Sequence, residues 1–466
     1  HLTRLEVEAM RAGSETLDVD LWRGEVRLGP VRFGVSPTAP GQLGELSLKV
    51  RFTPLAQRRL SIERLSITGV DVLVRRTADG AIVLNGIPLT PFLAGLTTAG
   101  APPGDDDGWD AGIDVFELRD SRLLFERAQD RELEIVAERL RVTELQNWAP
   151  SEPLTFELVA HVNDIRLNWS GQARPFAEEI VLDIDSHTDE AEAPKVLRFT
   201  GPAGLDRRGG EYDARLRHQA TLSPDGALAW HTVGSIAIRD ADYARSGIFA
   251  LALESGNIEL DLRYQQDASG DARLQGELTA DLGPGQAELG EKTRLNLSHG
   301  RVALRALDAA RAEDSSVRIS GRPDADLHVL ALSGPIEISV DQILQPLVLL
   351  QRLSAAATGS TPELGLGDFG DRSIAVPASD VEVEHLTVAD GRFALSSTDG
   401  QVELDLGGIA ELAAIEIEAD ERRIDIENLR GVVERFRLAA GEDRLSVGTA
   451  GRNELSAGSA KGPLGE

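Results

Sequence analysis

The feature that most constrains this chain is a two-residue alternation of apolar and polar side chains that recurs along its length. Ile258, Leu260 and Leu262 alternate with charged residues, and residues 402–406 and 415–419 repeat the pattern. Successive side chains of a β-strand point to opposite faces of a sheet, so the alternation predicts strands that are dry on one face and wet on the other. Such strands are typical of antiparallel sheets.

The number of such segments limits the architecture. Roughly thirty strand-like segments are too many for one sandwich, and a sheet of that size has to curl, split or close on itself. Four stretches also resemble one another as an apolar strand, a tight polar turn and a second apolar strand, and such units bury their apolar faces only by stacking. They are residues 65–72, 118–125, 236–243 and 386–393. We therefore predict a mostly β protein, an elongated and curled antiparallel sheet with one or two short helices.

Short dipeptides indicate where the strands turn. Asp225-Gly226, Ser255-Gly256 and Asp390-Gly391 each supply a glycine that can adopt the positive φ of a tight hairpin. We expect mostly short connections between the strands at these positions.

Two segments break the alternation and predict the helices. Residues 341–357 carry Ile, Leu and Val at helical spacing after a suitable N-cap, Asp341, and a shorter helical segment is predicted at 91–96. Low-complexity stretches at 97–107 and 355–371 predict linkers. The predicted sections are an N-terminal β section at 1–100, a central β-groove at 101–340, a helix and linker at 341–375, and a C-terminal β section at 376–466.

The composition excludes several functions. The 77 acidic and 48 basic residues give a formal charge of −29, which repels nucleic acids and predicts no nucleic-acid partner. The chain has no Cys, which removes disulfides and thiolate chemistry. Aromatic residues make up 4% of the chain, so any surface that it encloses has to be lined mainly by aliphatic side chains.

Motifs that would indicate catalysis or cofactor binding are absent or out of place. Gly365–Gly370 has the spacing of a dinucleotide-binding loop without the required strand and helix, and residues 105–107 are three aspartates without the rest of a calcium-binding loop. The 8 His residues are scattered and form no recognised metal motif. We expect no enzymatic activity, catalytic residue, cofactor or metal; a glycosidase-like carboxylate pair drawn from distant strands stays open as an alternative.

One stretch resembles a known family. Residues 53–72 run Thr-Pro-Leu-Ala-Gln-Arg-Arg-Leu-Ser-Ile-Glu-Arg-Leu-Ser-Ile-Thr-Gly-Val-Asp-Val, and the passage continues through Arg75 and Asp79-Gly80 to Leu84-Asn85-Gly86. This passage resembles the N-terminal signature of AsmA-like proteins, repetitive β-groove envelope proteins of the bridge-like lipid transfer superfamily.

The resemblance implies a periplasmic protein anchored in the inner membrane of a Gram-negative bacterium by a helix that precedes His1. It also implies a taco-like sheet whose hydrophobic groove shields phospholipid acyl chains during transport from the inner to the outer membrane. The expected partners are phospholipid, the inner membrane and other envelope proteins. The open alternative is a structural or assembly module that binds another protein through a sheet edge.

The apolar faces of the clearest alternating strands supply the candidate groove lining. The same residues could instead fill a closed core, because alternation shows a dry face without showing what covers it. The candidates are Phe156, Leu158, Ile180, Leu182, Ile184, Ile258, Leu260, Leu262, Val402, Leu404, Leu406, Ile415 and Ile417.

Overall fold

The computed structural model of the protein describes most of the chain. The described residues are 13–20, 22–33, 41–76, 82–85, 87–88, 110–127, 131–162, 165–192, 206–245, 249–289, 293–311, 316–333, 336–339, 373–376, 380–398, 401–419, 422–441 and 444–461. The predicted helix at 341–357 and the helical segment at 91–96 lie outside these residues. So do the aspartates at 105–107 and the loop Gly365–Gly370.

The described part of the chain is almost entirely β-strand. It contains 28 strands and one short 3-10 helix, Thr53–Gln57, and no α-helix. The predicted mostly β fold is therefore confirmed. Across these residues, no helix has the length and the hydropathy of a membrane span.

The chain forms two compact units, one of residues 1–188 with 219–221 and one of residues 189–218 with 222–466. The strands that lie in the first unit, or begin in it, are β1 (Gly13–Asp20), β2 (Glu25–Phe33), β3 (Gly41–Leu43), β4 (Glu45–Arg51), β5 (Arg59–Thr68), β6 (Asp71–Arg76), β7 (Ile82–Leu84), β8 (Ile87–Pro88), β9 (Asp110–Arg127), β10 (Arg131–Gln146), β11 (Leu154–Val162), β12 (Ile165–Arg174) and β13 (Ile180–Glu192).

The remaining strands lie wholly or mainly in the second unit. They are β14 (Asp206–Leu222), β15 (Leu228–Arg245), β16 (Phe249–Gln266), β17 (Ala272–Leu282), β18 (Gly285–Leu289), β19 (Thr293–Arg311), β20 (Val317–Ser333), β21 (Ile336–Ser339), β22 (Ser373–Val376), β23 (Asp380–Thr398), β24 (Gln401–Ala419), β25 (Arg422–Glu427), β26 (Leu429–Gly441), β27 (Arg444–Ser456) and β28 (Ser459–Lys461).

The sheet of the first unit is antiparallel except around β9. That strand runs parallel to both β5 and β6 and pairs with them in one register, Leu65 with Phe116 and Val74 with Phe125. The two short strands can share one long neighbour because the chain continues in the same direction past Gly69, whose φ is +69°. Glycine adopts this left-handed conformation without the steric cost that a Cβ brings. The sheet is thus mixed, whereas the alternation by itself indicated an antiparallel one.

The second unit is a run of long antiparallel strands. β19, β23 and β24 are 19 residues each, and each pairs with its neighbours along almost its whole length. The predicted turn at Asp225-Gly226 is confirmed, because the Gly226 N–H donates to the Ser223 carbonyl and Gly226 has a φ of +88°. The predicted turns at Ser255-Gly256 and Asp390-Gly391 are wrong, since both dipeptides lie inside continuous strands.

The four repeated stretches have a common local geometry that differs from the predicted strand-turn-strand unit. Three of them lie within single strands, β9, β15 and β23, and each contains one aspartate at positive φ: Asp120 at 49°, Asp240 at 46° and Asp390 at 50°. In the fourth, Gly69 has this role. Asp is one of the few residues other than Gly that visit the left-handed region, because its short side chain can bond to its own backbone. The repeated signature therefore marks a local irregularity and not a reversal of the chain.

Candidate functional site

The most extended chemical feature of the first unit is an apolar face that continues from strand to strand. Cross-strand partners occupy the same face of a sheet, so the pairings align side chains into rows that run across the strands. One row is Val19, Val26, Leu48, Leu65, Phe116, Val142, Phe156, Gly171 and Ile184. A second row, two residues away on each strand, is Leu17, Leu28, Leu46, Ile67, Leu118, Leu140, Leu158 and Trp169.

The opposite face of the same strands carries a row of polar side chains. The row that lies between the two apolar rows consists of Asp18, Arg27, Ser47, Ser66, Glu117, Arg141, Glu157, Ser170 and Asp185. The register therefore keeps the two faces chemically separate across the sheet, because a slip of one residue would mix them.

The second unit repeats this organisation. One apolar row is Ile236, Ile258, Ala280, Val302, Ala325, Val388, Ala410, Gly431 and Leu455. Another is Trp230, Tyr264, Leu274, Ala309, Ile319, Leu395 and Leu404. A polar row on the other face is Asn257, Asp281, Arg301, Asp326, Thr387, Glu411, Arg430 and Ser456.

The apolar faces are only partly shielded from water. Within the part of the chain that the structure describes, no large side chain is fully buried, and nine of the 20 buried hydrophobic residues are alanines. Most of the larger apolar side chains in the rows are half-buried, and Trp169, Val19 and Leu455 are 37%, 46% and 76% exposed. Two packed layers bury Leu, Ile and Val fully. Ile319, Leu395 and Leu404, in one row of the second unit, reach such burial at 2%, 5% and 4% exposed, whereas the other larger described side chains of the rows do not.

One buried cluster of the second unit is covered by neighbours on the same sheet. Leu330, Val383 and Ile415 form the centre of a cluster in the second unit and are 8%, 6% and 5% exposed. They lie on β20, β23 and β24 at paired positions, and the partly buried residues around them belong to the same strands and their neighbours.

The structure separates the predicted lining residues into groups. Phe156, Leu158, Ile180, Leu182 and Ile184 lie on β11 and β13 and are half-buried; Ile258, Leu260 and Leu262 follow one another on one face of β16. Within β24, Leu404 and Ile415 are buried and Leu406 is exposed, while the side chains of Val402 and Ile417 lie outside the described part. The described candidates of the first unit lie on the apolar face of the first unit. The described candidates of the second unit lie on the apolar face of the second unit.

The polar face of the second unit is held by ion pairs between neighbouring strands. Arg273 donates to both carboxylate oxygens of Asp308 at 2.7 Å. Arg435 donates to both oxygens of Asp405 at 3.0 and 2.7 Å, and Arg437 donates to the same carboxylate at 3.1 Å. The hydrogen bonds from Arg435 and then Arg437 hold the pKa of Asp405 at about 2, below its ordinary value of 3.8.

A cluster of histidines is the polar-face feature that sequence reasoning missed. His299, His328 and His385 pair with one another across β19, β20 and β23. Their rings stack at centroid distances of 4.4 Å and 4.3 Å with interplanar angles of 10° and 9°. The three residues are far apart in the sequence, so no local spacing motif could have shown this cluster.

Comparisons with known proteins give no identification. The chain matches no protein-family model, and no curated protein or solved structure is significantly similar to it. The resemblance of residues 53–86 to AsmA-like proteins therefore stays a prediction.

Proposed function

We propose that the protein binds lipid, with acyl chains lying against the apolar faces of its sheets. The observation that carries the proposal is the continuity of the apolar rows, which cross nine strands in each unit and leave most of their larger side chains only half-buried. A face that only fills a core has to be covered, whereas a face that receives acyl chains has to stay accessible.

The energetics favour such a face for carrying lipid through water. An acyl chain of about fifteen methylenes costs on the order of 12 kcal/mol to expose, at roughly 0.8 kcal/mol per methylene. Aliphatic walls remove this cost without selecting the chain chemically, and the headgroup can stay in water. The polar row on the opposite face keeps the rest of the sheet solvated.

Within this proposal, the biological setting comes from the resemblance to AsmA-like proteins. It comprises a periplasmic location, anchoring in the inner membrane of a Gram-negative bacterium, and transfer of phospholipid towards the outer membrane. These statements depend on residues 53–86 and are separate from the binding of lipid, which the apolar faces support directly.

Lipid extraction from the purified protein, followed by mass spectrometry, tests the binding. We expect phospholipid to co-purify with the wild-type chain. Trp169→Glu combined with Leu455→Glu places a carboxylate on the apolar face of each unit and should lower the bound lipid at least about tenfold, since a tenfold loss needs only about 1.4 kcal/mol.

The matched control changes the neighbouring residues on the same two strands. Ser170 and Ser456 are also exposed but lie in the polar rows, so Ser170→Glu with Ser456→Glu should leave the bound lipid unchanged. A wild-type protein that carries no lipid and takes none from phosphatidylglycerol or phosphatidylethanolamine vesicles would exclude the proposal, as would equal losses in both double variants.

A second candidate function, a module that binds another protein through a sheet edge, is supported by β27. Among the described residues, this 13-residue strand pairs with β26 on one side only. Unpaired backbone N–H and C=O groups on an edge can accept an additional strand. Cross-linking from β27 that captures a protein, in a chain from which no lipid can be extracted, would favour this function over the first.

A further inference from the structure

The histidine cluster on the polar face of the second unit includes a carboxylate at hydrogen-bonding distance. The Oδ1 atom of Asp326 lies 2.6 Å from Nε2 of His385 and 3.1 Å from Nε2 of His328. Arg301, which pairs in register with Asp326, lies with its Nε atom 3.6 Å from Asp281. The hydrogen bond from His385 holds the pKa of the Asp326 carboxyl below its ordinary value of 3.8, and the charges of the three histidines act in the same direction.

We propose that Asp326, His328 and His385 form a binding site for a divalent transition-metal ion of the Zn²⁺ class. One ligand atom of each residue lies within 4.8 Å of the other two. Two nitrogen ligands of a tetrahedral Zn²⁺ are about 3.4 Å apart, given metal–ligand bonds of about 2.0–2.1 Å. The two histidine nitrogens therefore have to converge by no more than about 1.4 Å. The Asp326 oxygen, at 2.6 and 3.1 Å from them, has to move away by less than about 1 Å, and side-chain torsions can supply both changes.

The ligand types select the class of metal. Imidazole nitrogens with one carboxylate oxygen suit Zn²⁺, Ni²⁺, Cu²⁺ and Co²⁺, whereas Mg²⁺ and Ca²⁺ prefer oxygen ligands alone. The three side chains are 37%, 34% and 56% exposed for His328, His385 and Asp326, so an ion can reach them from solvent. Three protein ligands leave the fourth position of a tetrahedral ion to water.

The neighbouring histidine limits the freedom of the site. The His328 ring lies between those of His299 and His385, so its orientation is restricted on both sides. A ligand that is already held in place loses less conformational freedom when the ion binds. The stacked His299 ring therefore restricts the orientation of His328 on one side.

A bound ion would join strands that are distant in the sequence. β20 ends at Ser333 and β23 begins at Asp380, so His328 and His385 connect two strands separated by a long intervening stretch. Since the ion binds the folded pairing and not the unfolded chain, it should stabilise that pairing by mass action.

Calorimetric titration with ZnCl₂ of the tag-free full chain, stripped with a chelator, tests the site. We expect one ion per chain at this site, a higher melting temperature with Zn²⁺, and a tetrahedral visible absorption band when Co²⁺ replaces Zn²⁺. Asp326→Asn and His385→Gln should each weaken Zn²⁺ binding at least about tenfold and abolish the Co²⁺ band.

The control is His231→Gln, because His231 also pairs with a carboxylate on a strand of this unit, Asp261 at 2.8 Å. It should bind Zn²⁺ as tightly as the wild type does. Circular dichroism confirms that each variant is folded. The proposal is overturned if the wild-type chain shows no Co²⁺ band, or if folded Asp326→Asn and His385→Gln variants bind Zn²⁺ with wild-type affinity.

Discussion

At the scale of single residues, ion pairs between neighbouring strands stabilise the polar face of the second unit. Asp405 accepts hydrogen bonds from both Arg435 and Arg437, and its side chain is 28% exposed. A carboxylate whose pKa is lower in the folded chain than in the unfolded chain stabilises the fold wherever it is ionised in both states. This contribution is therefore present above pH 3.8 and is lost as the pH falls from 3.8 through about 2.

We predict that Asp405→Asn lowers the free energy of unfolding at pH 7 by about 1 kcal/mol. The lowered pKa corresponds to at most about 2.5 kcal/mol, and solvent screening reduces this contribution because the arginines are exposed. Urea unfolding at pH 7 and at pH 3 measures the difference from the wild type, which should shrink at the lower pH.

The control for this prediction is Asp281→Asn. The Asp281 carboxylate is 54% exposed and lies 3.6 Å from Arg301, so its removal should change the stability little. A loss from Asp405→Asn that is the same at both pH values would contradict the linkage argument.

Backbone conformation at single residues also explains the sequence repeats. Asp240 and Asp390 share a left-handed conformation at the fifth position of their repeated stretches, and Gly69 has it at the same position of the first. The sequence indicates that these positions are special, because Asp and Gly recur there. It does not distinguish a turn from an irregularity inside a strand, because the left-handed conformation serves both.

At the scale of strands, two leucines on one face of β24 differ in how much their burial stabilises the fold. Leu404 and Leu406 are two residues apart on this strand, yet Leu404 is 4% exposed and Leu406 is 36% exposed. Leu404 is aligned with Leu395 and Leu438, and Leu406 with Phe393 and Phe436. The sequence assigns both leucines to one face but carries no information on this difference.

We predict that Leu404→Ala lowers the free energy of unfolding by about 2–4 kcal/mol, because it removes a buried side chain and leaves a cavity. Leu406→Ala is the matched control on the same strand and face, and should cost about 1 kcal/mol or less. Chemical denaturation of both variants measures the two losses, and equal losses would show that Leu406 is covered in solution.

At the scale of the whole molecule, the proposed function requires both units to present an apolar face to lipid. A photo-reactive benzoylphenylalanine replaces an aromatic residue with little change of size, so Phe156 in the first unit and Tyr264 in the second are suitable positions. We predict that each captures phospholipid when the full chain is incubated with vesicles and irradiated.

The adjacent residues on the same strands, Glu157 and Arg263, point to the opposite face and provide the controls. Benzoylphenylalanine at these positions should capture little phospholipid. Mass spectrometry of the cross-linked products measures the difference, and equal capture from the two faces would argue against the apolar rows as the binding surface.

The sequence by itself determined the mostly β fold and the presence of two chemically different faces. It could do so because the alternation of side chains is a local property of an extended backbone. The parallel pairing of β9, the unequal burial of Leu404 and Leu406, and the meeting of His299, His328 and His385 were decided only by the tertiary structure. Strand pairing joins backbone N–H and C=O groups that are alike in every residue, so the choice of partner and register depends on contacts between distant parts of the chain.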